Sequence, residues 1–470
     1  MHFESTPVNP LDPDGGPWYR GLTRYHWFVL MVAALGWMFD TMDQQLFNLA
    51  RKPAMEELLK AKSLDPSVAR AMVSTYGGYA TSIFMIGWAL GGLFFGIMGD
   101  KVGRAKTMLL TILVYSIFTG LSALSVGFAD FALYRFLTGL GVGGEFAVGV
   151  ALVAEIMPDR ARPYALGWLQ ASSAIGNMTA ALIAILLGRM QESGMIGGDW
   201  SAWRIMFLVG TFPALLAILI RRKLKEPERW KAVARSGEIS PEPDKKLGSI
   251  SELFGDPRWR KNAIVGMILG FSGVVGLWGI GFFSFDLIRA VFKKDLEAQG
   301  LSSKLIDGRL TTLAGLTSLF QNLGGFFGVY AFTRFTGKLG RRPAFAVSFL
   351  LAMSATAWTF WSINRYDQLF WMIPIMGFCQ LTLFGGYAIY FPELFPTRLR
   401  STGTSFCYNV GRLVAASGPL VLGWLTSGFI AEHGEIDARR YAGVMMCSVF
   451  VIGLLALPFA PETKGKPLPE

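Results

Sequence analysis

Charge and reactive side chains are scarce in this chain. Of its 470 residues only 16% are charged, three are cysteine and three are histidine. Cys379, Cys407 and Cys447 all fall in apolar segments, which leaves neither a disulfide framework nor a Cys-rich metal site. His2, His26 and His433 lie away from the centres of the long apolar runs, and no H-E-x-x-H, G-x-S-x-G or G-x-x-x-x-G-K-S/T pattern occurs. The nucleophile-and-base set of an enzyme and the phosphate loop of an ATP-driven machine are both missing, so the chain does not read as an enzyme and no cofactor or metal is expected. The first 24 residues are polar, hold four prolines and lack the basic start and short apolar core of a cleavable signal, so the amino terminus is expected to stay on the side where it is made.

Apolar residues are abundant. The chain is 52% hydrophobic, with a mean hydropathy of +0.41, well beyond what a water-soluble core requires. A run of about 20 apolar residues spans a bilayer as a helix, and twelve candidates centre near residues 37, 86, 116, 143, 176, 212, 275, 322, 353, 379, 415 and 450. An even number places both termini on one side. With the termini cytoplasmic, Lys and Arg fall roughly two to one on the inner side, which implies a multi-pass protein of the plasma (inner) membrane. The net charge of +11 is then a matter of topology, and no nucleic acid partner is expected.

Loops repeat across the chain. "EIMPDRAR" (155–162) follows the fourth run and "ELFPTRLR" (393–400) the tenth, both reading E-x-x-P-x-R-x-R. "GDKVGR", ending at Arg104, is echoed by "TGKLGR", ending at Arg341, and "EPERW" (226–230) by "PETKG" (461–465). Three matches at nearly constant offset predict an all-α protein of twelve transmembrane helices in two six-helix pseudo-repeats. The expected divisions are a cytoplasmic segment 1–24, a half 25–222, a linker 223–260, a half 261–460 and a cytoplasmic tail 461–470. The linker carries "SGEISPEPDKK", a composition with little fixed structure.

The same motifs, with "YRFLTGLGVGGE" (134–145), resemble the signatures of the major facilitator superfamily. The resemblance covers all twelve helices. It implies a transporter, working as a monomer, whose central cavity between the halves opens to alternate sides. It also implies conformational gating by the charged loops, through Asp100, Arg104, Glu155, Arg162, Glu393 and Arg400. The "G-D-x-x-G-R" turn suits that position, since Gly99 and Gly103 permit the bend while Asp100 and Arg104 can pair with each other or with a helix end.

An ionised residue at mid-bilayer costs about 2.5 to 3.5 kcal/mol on insertion scales, so it tends to face a cavity and hold a partner. Asp40 and Asp43, at i and i+3, share a face of the first helix. At about 1.5 Å per residue, Asp43 rising from the inner side and Arg135 descending from the outer side reach similar depth. Glu145 lies deeper toward the inner side, in "GLGVGGE", where glycines let another helix approach. Arg412 lies near the midplane. These positions predict proton coupling through Asp40, Asp43, Arg135 and Glu145, although such carboxylates would also serve sodium. Arg412 is the expected anion site, with Asn409 one turn away and with Gln44, Tyr76, Gln170 and Gln380 as further cavity residues.

The helix-1 D-x-x-D, the R-x-x-x-G-x-G-x-G-G-E of helix 4 and "YNVGR" (408–412) together resemble the organic-acid proton symporters, which take aromatic acids, sialic acid and lactate. Thr41 stands where several subgroups have glycine. The resemblance implies symport of protons with a small organic anion. Alternatives are a carrier of a sugar or other neutral or zwitterionic metabolite and, in a different class, a non-transporting receptor.

Overall fold

The computed structural model describes residues 17–60, 65–192, 195–196, 200–215, 220, 223–239, 247–281, 283–300, 303–415 and 418–469. Most of the segment expected over 1–24, and residues 240–246 of the expected linker, lie outside the described residues. Among the described residues there are helices and turns but no strand.

The first part of the chain forms α1 (Arg24–Leu58), α2 (Pro66–Val102), α3 (Arg104–Ser122), α4 (Phe128–Ile156), α5 (Arg162–Glu192) and α6 (Ala202–Val209). Two short helices follow, α7 (Glu228–Ile239) and α8 (Ile250–Gly255). Then come α9 (Pro257–Val274), α10 (Phe283–Ala298), α11 (Ser303–Leu339), α12 (Arg341–Ser362) and α13 (Leu369–Glu393). The chain closes with α14 (Arg400–Ser405), α15 (Gly411–Ala415), α16 (Gly418–Met446) and α17 (Val449–Ala456). Two π turns interrupt this order, Val275–Gly281 after α9 and Phe406–Val410 between α14 and α15. Seven helices among the described residues are long and apolar enough to cross a membrane.

Local chemistry sets the helix starts. Thr23 and His26 form a capping box at α1, and the Asp130 carboxylate accepts from the N–H groups of Val126 and Gly127 at α4, where the helix dipole favours a negative charge. Gly103 and Gly340 precede α3 and α12 with φ of 119° and 99°, a conformation that favours glycine. The loop echo has a physical counterpart here. Glu226 accepts from the N–H groups of Arg104 and Ala105 (2.7 and 3.1 Å), and Glu462 from those of Arg341 and Arg342 (2.9 and 3.0 Å). Each carboxylate thus caps the helix that follows the matching glycine turn.

The "GLGVGG" stretch of α4 packs directly on α2: a Cβ at Gly139 would meet the Phe84 carbonyl, and one at Gly143 the Trp88 carbonyl. Two seams then join the two parts of the chain. At the first, Gly92, Gly96 and Gly99 of α2 face Asn409, Ser405 and Ser401, and the Ser405 hydroxyl donates to the Gly92 carbonyl. At the second, Gly167 of α5 faces Thr333 of α11, and Asn177 donates to the Asn322 side chain at 3.0 Å. The end of the bundle that holds residues 25, 104, 226 and 462 is termed the base, and the opposite end the rim.

Candidate functional site

Between the two seams lies a narrow cleft of about 70 Å³. Its wall includes Trp37, Gln44 and Gln45 from α1, Trp88 from α2, Gln170 and Asn177 from α5, Gln321 and Asn322 from α11, and Arg412 with Tyr408 from the broken helix between Arg400 and Ala415. The π turn over Phe406–Val410 widens the helix immediately before Arg412, a distortion common where helices carry function.

Arg412 is buried, and its guanidinium lies between two rings, 3.8 Å from the Trp88 centroid and 4.5 Å from that of Tyr408. Its Nε and Nη1 have no hydrogen-bond partner, and neither has the indole Nε1 of Trp37, which packs on Phe146 at 4.5 Å. Desolvated cation–π contact is worth about 2 kcal/mol, whereas a buried charge stripped of its partner costs about 3–5 kcal/mol. The aromatic faces and the nearby Asp40 carboxyl support the cation, while its Nε and Nη1 remain without an acceptor.

The carboxyls behind the cleft fall into two groups. Asp43 is paired: its Oδ1 accepts from Thr119 at 2.8 Å and its Oδ2 lies 3.8 Å from Arg135 Nη1, both side chains being fully buried. Arg135 also donates to Ser122 and Thr138 and stacks over Phe207 at 4.6 Å. Asp40 has no such support. Both of its oxygens are buried and unpartnered, and Glu145, Asp43 and Arg412 lie within Coulombic reach. Glu145 accepts from Thr111 at 3.0 Å through Oε2, while Oε1 is unpartnered and rests against Gly36, where a Cβ would collide with it. Gly36 and Asp40 are four residues apart, so Glu145 addresses the same face of α1 one turn away.

The base is closed. Asp100 accepts from the N–H groups of Ser401 and Thr402 (3.1 and 2.8 Å) and from the Thr402 hydroxyl (2.7 Å), capping α14 across the seam. Arg104 pairs with Asp100 and Glu155, both at 2.9 Å, and Glu155 also pairs with Arg400 at 2.8 Å. Arg341 pairs with Glu393 at 2.8 Å, within the second part of the chain. Arg162 holds the Ala154 carbonyl and Asp159. The tail returns to this layer: Tyr390 donates to the Pro461 carbonyl (2.7 Å), Thr463 to Glu393 (2.6 Å), and Arg400 to the Pro469 carbonyl (3.1 Å). Burial pushes the Glu462 carboxyl up, but donation from the backbones of Arg341, Lys464 and Arg342 holds it below its ordinary value.

Three expected cavity residues stand elsewhere. Tyr76 packs edge-on against Phe128 at 4.7 Å and against Tyr79, because it lies several turns rimward of Trp88 on α2. Gln380 sits behind the wall and links Gln321 to Thr356. Asn409 is used by the first seam, donating to Ser405 and to the Gly143 carbonyl, because the π turn directs it to α2 while Arg412 meets the cleft. Gln44, Gln170 and Arg412 do line the cleft. The sequence reading missed Trp88 and Tyr408 as partners of the cation. An aromatic residue in a membrane helix carries no mark that separates a stacking face from a packing one.

A profile of the Major Facilitator Superfamily matches residues 27–419. A protein of Haemophilus influenzae described as a metabolite transport protein is 29% identical over 95% of this chain and 99% of its own length. The cis,cis-muconate transport protein of Acinetobacter baylyi is 28% identical, over 87% of this chain and 91% of its own. Among solved structures, the proton:xylose symporter XylE bound to 6-bromo-6-deoxy-D-glucose superposes with a TM-score of 0.72 at 17% identity, covering 94% of this chain and 98% of its own. At that identity the likeness concerns the fold.

Proposed function

The chain belongs to the major facilitator superfamily of membrane transporters, and from that premise we propose that it moves a small organic anion together with a proton by alternating access. The observation that carries this reading is the buried guanidinium of Arg412, whose Nε and Nη1 lack partners on the wall of the cleft, with Asp40 within Coulombic reach. The muconate relative, a carrier of an organic acid, supports the same reading. Coupling follows from charge balance. An anion on Arg412 neutralises the charge that Asp40 faces, and the carboxyl is then an uncompensated buried ion unless it takes up a proton. Glu145, one turn away on the same face, is the neighbour from which that proton would arrive or to which it would leave.

In this reading the halves 25–222 and 261–460 rock about the cleft, and the closed base is the cytoplasmic gate of a monomer in the plasma membrane, as the excess of Lys and Arg on that side supports. Asp100, Arg104, Glu155 and Arg400 hold it shut, while Arg341–Glu393 and Arg162 brace each side.

Proteoliposomes with an internal pH dye test the proposal against a panel of aromatic, hydroxy, sugar and dicarboxylic acids. One acid class is expected to drive protein-dependent proton uptake. Arg412→Ala should reduce that flux by about 100-fold, the effect of removing a charged hydrogen-bond donor. Asp40→Asn should leave tracer exchange of the acid intact while abolishing its uphill accumulation. Uptake driven by sodium with no pH change, or uphill accumulation surviving in Asp40→Asn, would overturn the assignment.

A further inference from the structure

Away from the cleft, the base holds a hollow of about 840 Å³ between the starts of α9 and α12, the end of α13 and the returning tail. Four cations from three separate segments line it: Arg258 and Lys261 of α9, Arg342 of α12 and Lys466 of the tail. None of the four enters an ion pair among the described residues. The two carboxylates at this hollow are already engaged. Glu393 takes Arg341 at 2.8 Å and Thr463 at 2.6 Å, and Glu462 accepts from the N–H groups of Arg341, Arg342 and Lys464. Arg342 donates through Nε and Nη2 to the Leu457 and Pro458 carbonyls (3.1 and 3.2 Å), and Arg258 lies over Trp259 at 4.6 Å. These contacts fix the two guanidiniums without neutralising them.

A concave surface of one sign focuses its field and concentrates counter-ions. The lip of this one is apolar: Phe459, which lines the hollow at the end of a helix long and apolar enough to cross a membrane, is 60% exposed, and Ile264, one turn along α9 from Lys261, is 42% exposed. We propose that the hollow binds the phosphate of an anionic phospholipid from the inner leaflet, whose acyl chains pass over Phe459 and Ile264. A free organic phosphate shares the head-group chemistry but has nothing to lay on that lip. The bound phosphate links Lys466 to α9 and α12, and so fastens the tail whose Pro469 carbonyl accepts from Arg400. The lipid thereby favours the closed base. The inference rests on the base facing the inner leaflet and is independent of what the cleft carries.

The test is a thermal titration of the purified full-length chain in a neutral detergent with dihexanoyl phosphatidylglycerol, dihexanoyl phosphatidylcholine or glycerol phosphate. Phosphatidylglycerol is expected to raise the melting temperature saturably, at a midpoint about tenfold or more below those of the other two. Lys261→Gln combined with Lys466→Gln should raise that midpoint about 30-fold, each basic side chain beside an anionic lipid contributing a factor of about five. Lys106→Gln combined with Arg160→Gln removes the same charge from exposed positions of the base outside the hollow, and should leave the midpoint unchanged. The melting temperature of each variant without lipid shows that it is folded. In phosphatidylcholine vesicles, adding phosphatidylglycerol should slow the reaction of Ser401→Cys with a membrane-impermeant maleimide about threefold. Equal weakening in both double variants would overturn the site in favour of diffuse attraction to the base. A phosphatidylglycerol midpoint no lower than that of phosphatidylcholine would overturn the need for an anion, and an equal midpoint for glycerol phosphate would make the occupant a free organic phosphate and overturn the lipid. An unchanged maleimide rate would overturn the link to the gate.

Discussion

Asp40 and Asp43 lie one turn apart on α1 in opposite surroundings. Asp43 has Arg135 and Thr119, whereas Asp40 has buried oxygens with no donor. Substitution should separate them. Asp43→Asn strands the Arg135 charge, and the expected outcome is a loss of stability of about 3–5 kcal/mol, read as a lower melting temperature in detergent, that is recovered in part when Arg135→Gln is added. Asp40→Asn removes an unpartnered group, so stability should hold while proton-coupled accumulation is lost. Gly36→Ala belongs to the same argument. The methyl would fill the place of Glu145 Oε1, and proton flux is expected to fall by about tenfold or more at unchanged acid binding, since a misplaced proton partner acts on the rate. The sequence carried part of this. The face shared by the two aspartates and the match in depth between Asp43 and Arg135 follow from helix periodicity, and the structure pairs those two; that Asp40 is left without a donor depends on the rotation of α1 against its neighbours, which no spacing reports.

At the scale of elements, the glycine turns before α3 and α12 and their capping carboxylates repeat, whereas the charge at the turn does not. Asp100 caps α14 across the seam, and the corresponding position in "TGKLGR" is Gly337. One turn therefore reaches across the interface and the other is tied within its own part of the chain, through Arg341 and Glu393. The aligned motifs show the missing charge, but which turn reaches across the seam is set by the packing of α2 on α14, and the caps from Glu226 and Glu462 were visible only as echoing motifs. Glu462 also gives a pH prediction. Its folded-state value lies below the ordinary one, so its contribution is present above the unfolded value and is lost as pH falls through the folded value. Glu462→Gln should lower the melting temperature at neutral pH by an amount equivalent to about 1 kcal/mol, and the difference from wild type should vanish in acid. A thermal series across pH checks both parts.

For the whole molecule, the closed base depends on the small-residue seam between α2 and the helix that starts at Arg400. Gly96 leaves no room beside Ser405, so Gly96→Leu is expected to wedge the base open. Ser401→Cys, buried in the closed state, should then react with a membrane-impermeant maleimide about tenfold faster than without the wedge, because reaction follows the population of the opened state. Removing residues 466–469 deletes the acceptor of Arg400 at Pro469 and the buried Leu468 side chain, and should shift the same assay in the same direction by a smaller factor. Unchanged reactivity in both variants would show that the base is not the moving gate.

Hydropathy, loop repetition and intramembrane charge let the sequence alone determine the class of the protein, its helical architecture and the residues that had to be explained. These signals are local or periodic, and bilayer thickness and helix geometry convert them directly into depth. Tertiary structure alone decided which of those residues meet. It gave Arg412 two aromatic faces from different parts of the chain, turned Asn409 and Tyr76 away from the cleft, and left Gln170 an acceptor without a donor. Helix rotation, a π turn and the approach of distant helices set those meetings. The contacts of Arg412 with Trp88, Asn409 with Gly143 and Tyr76 with Phe128 join residues far apart in the chain, so no local pattern encodes them.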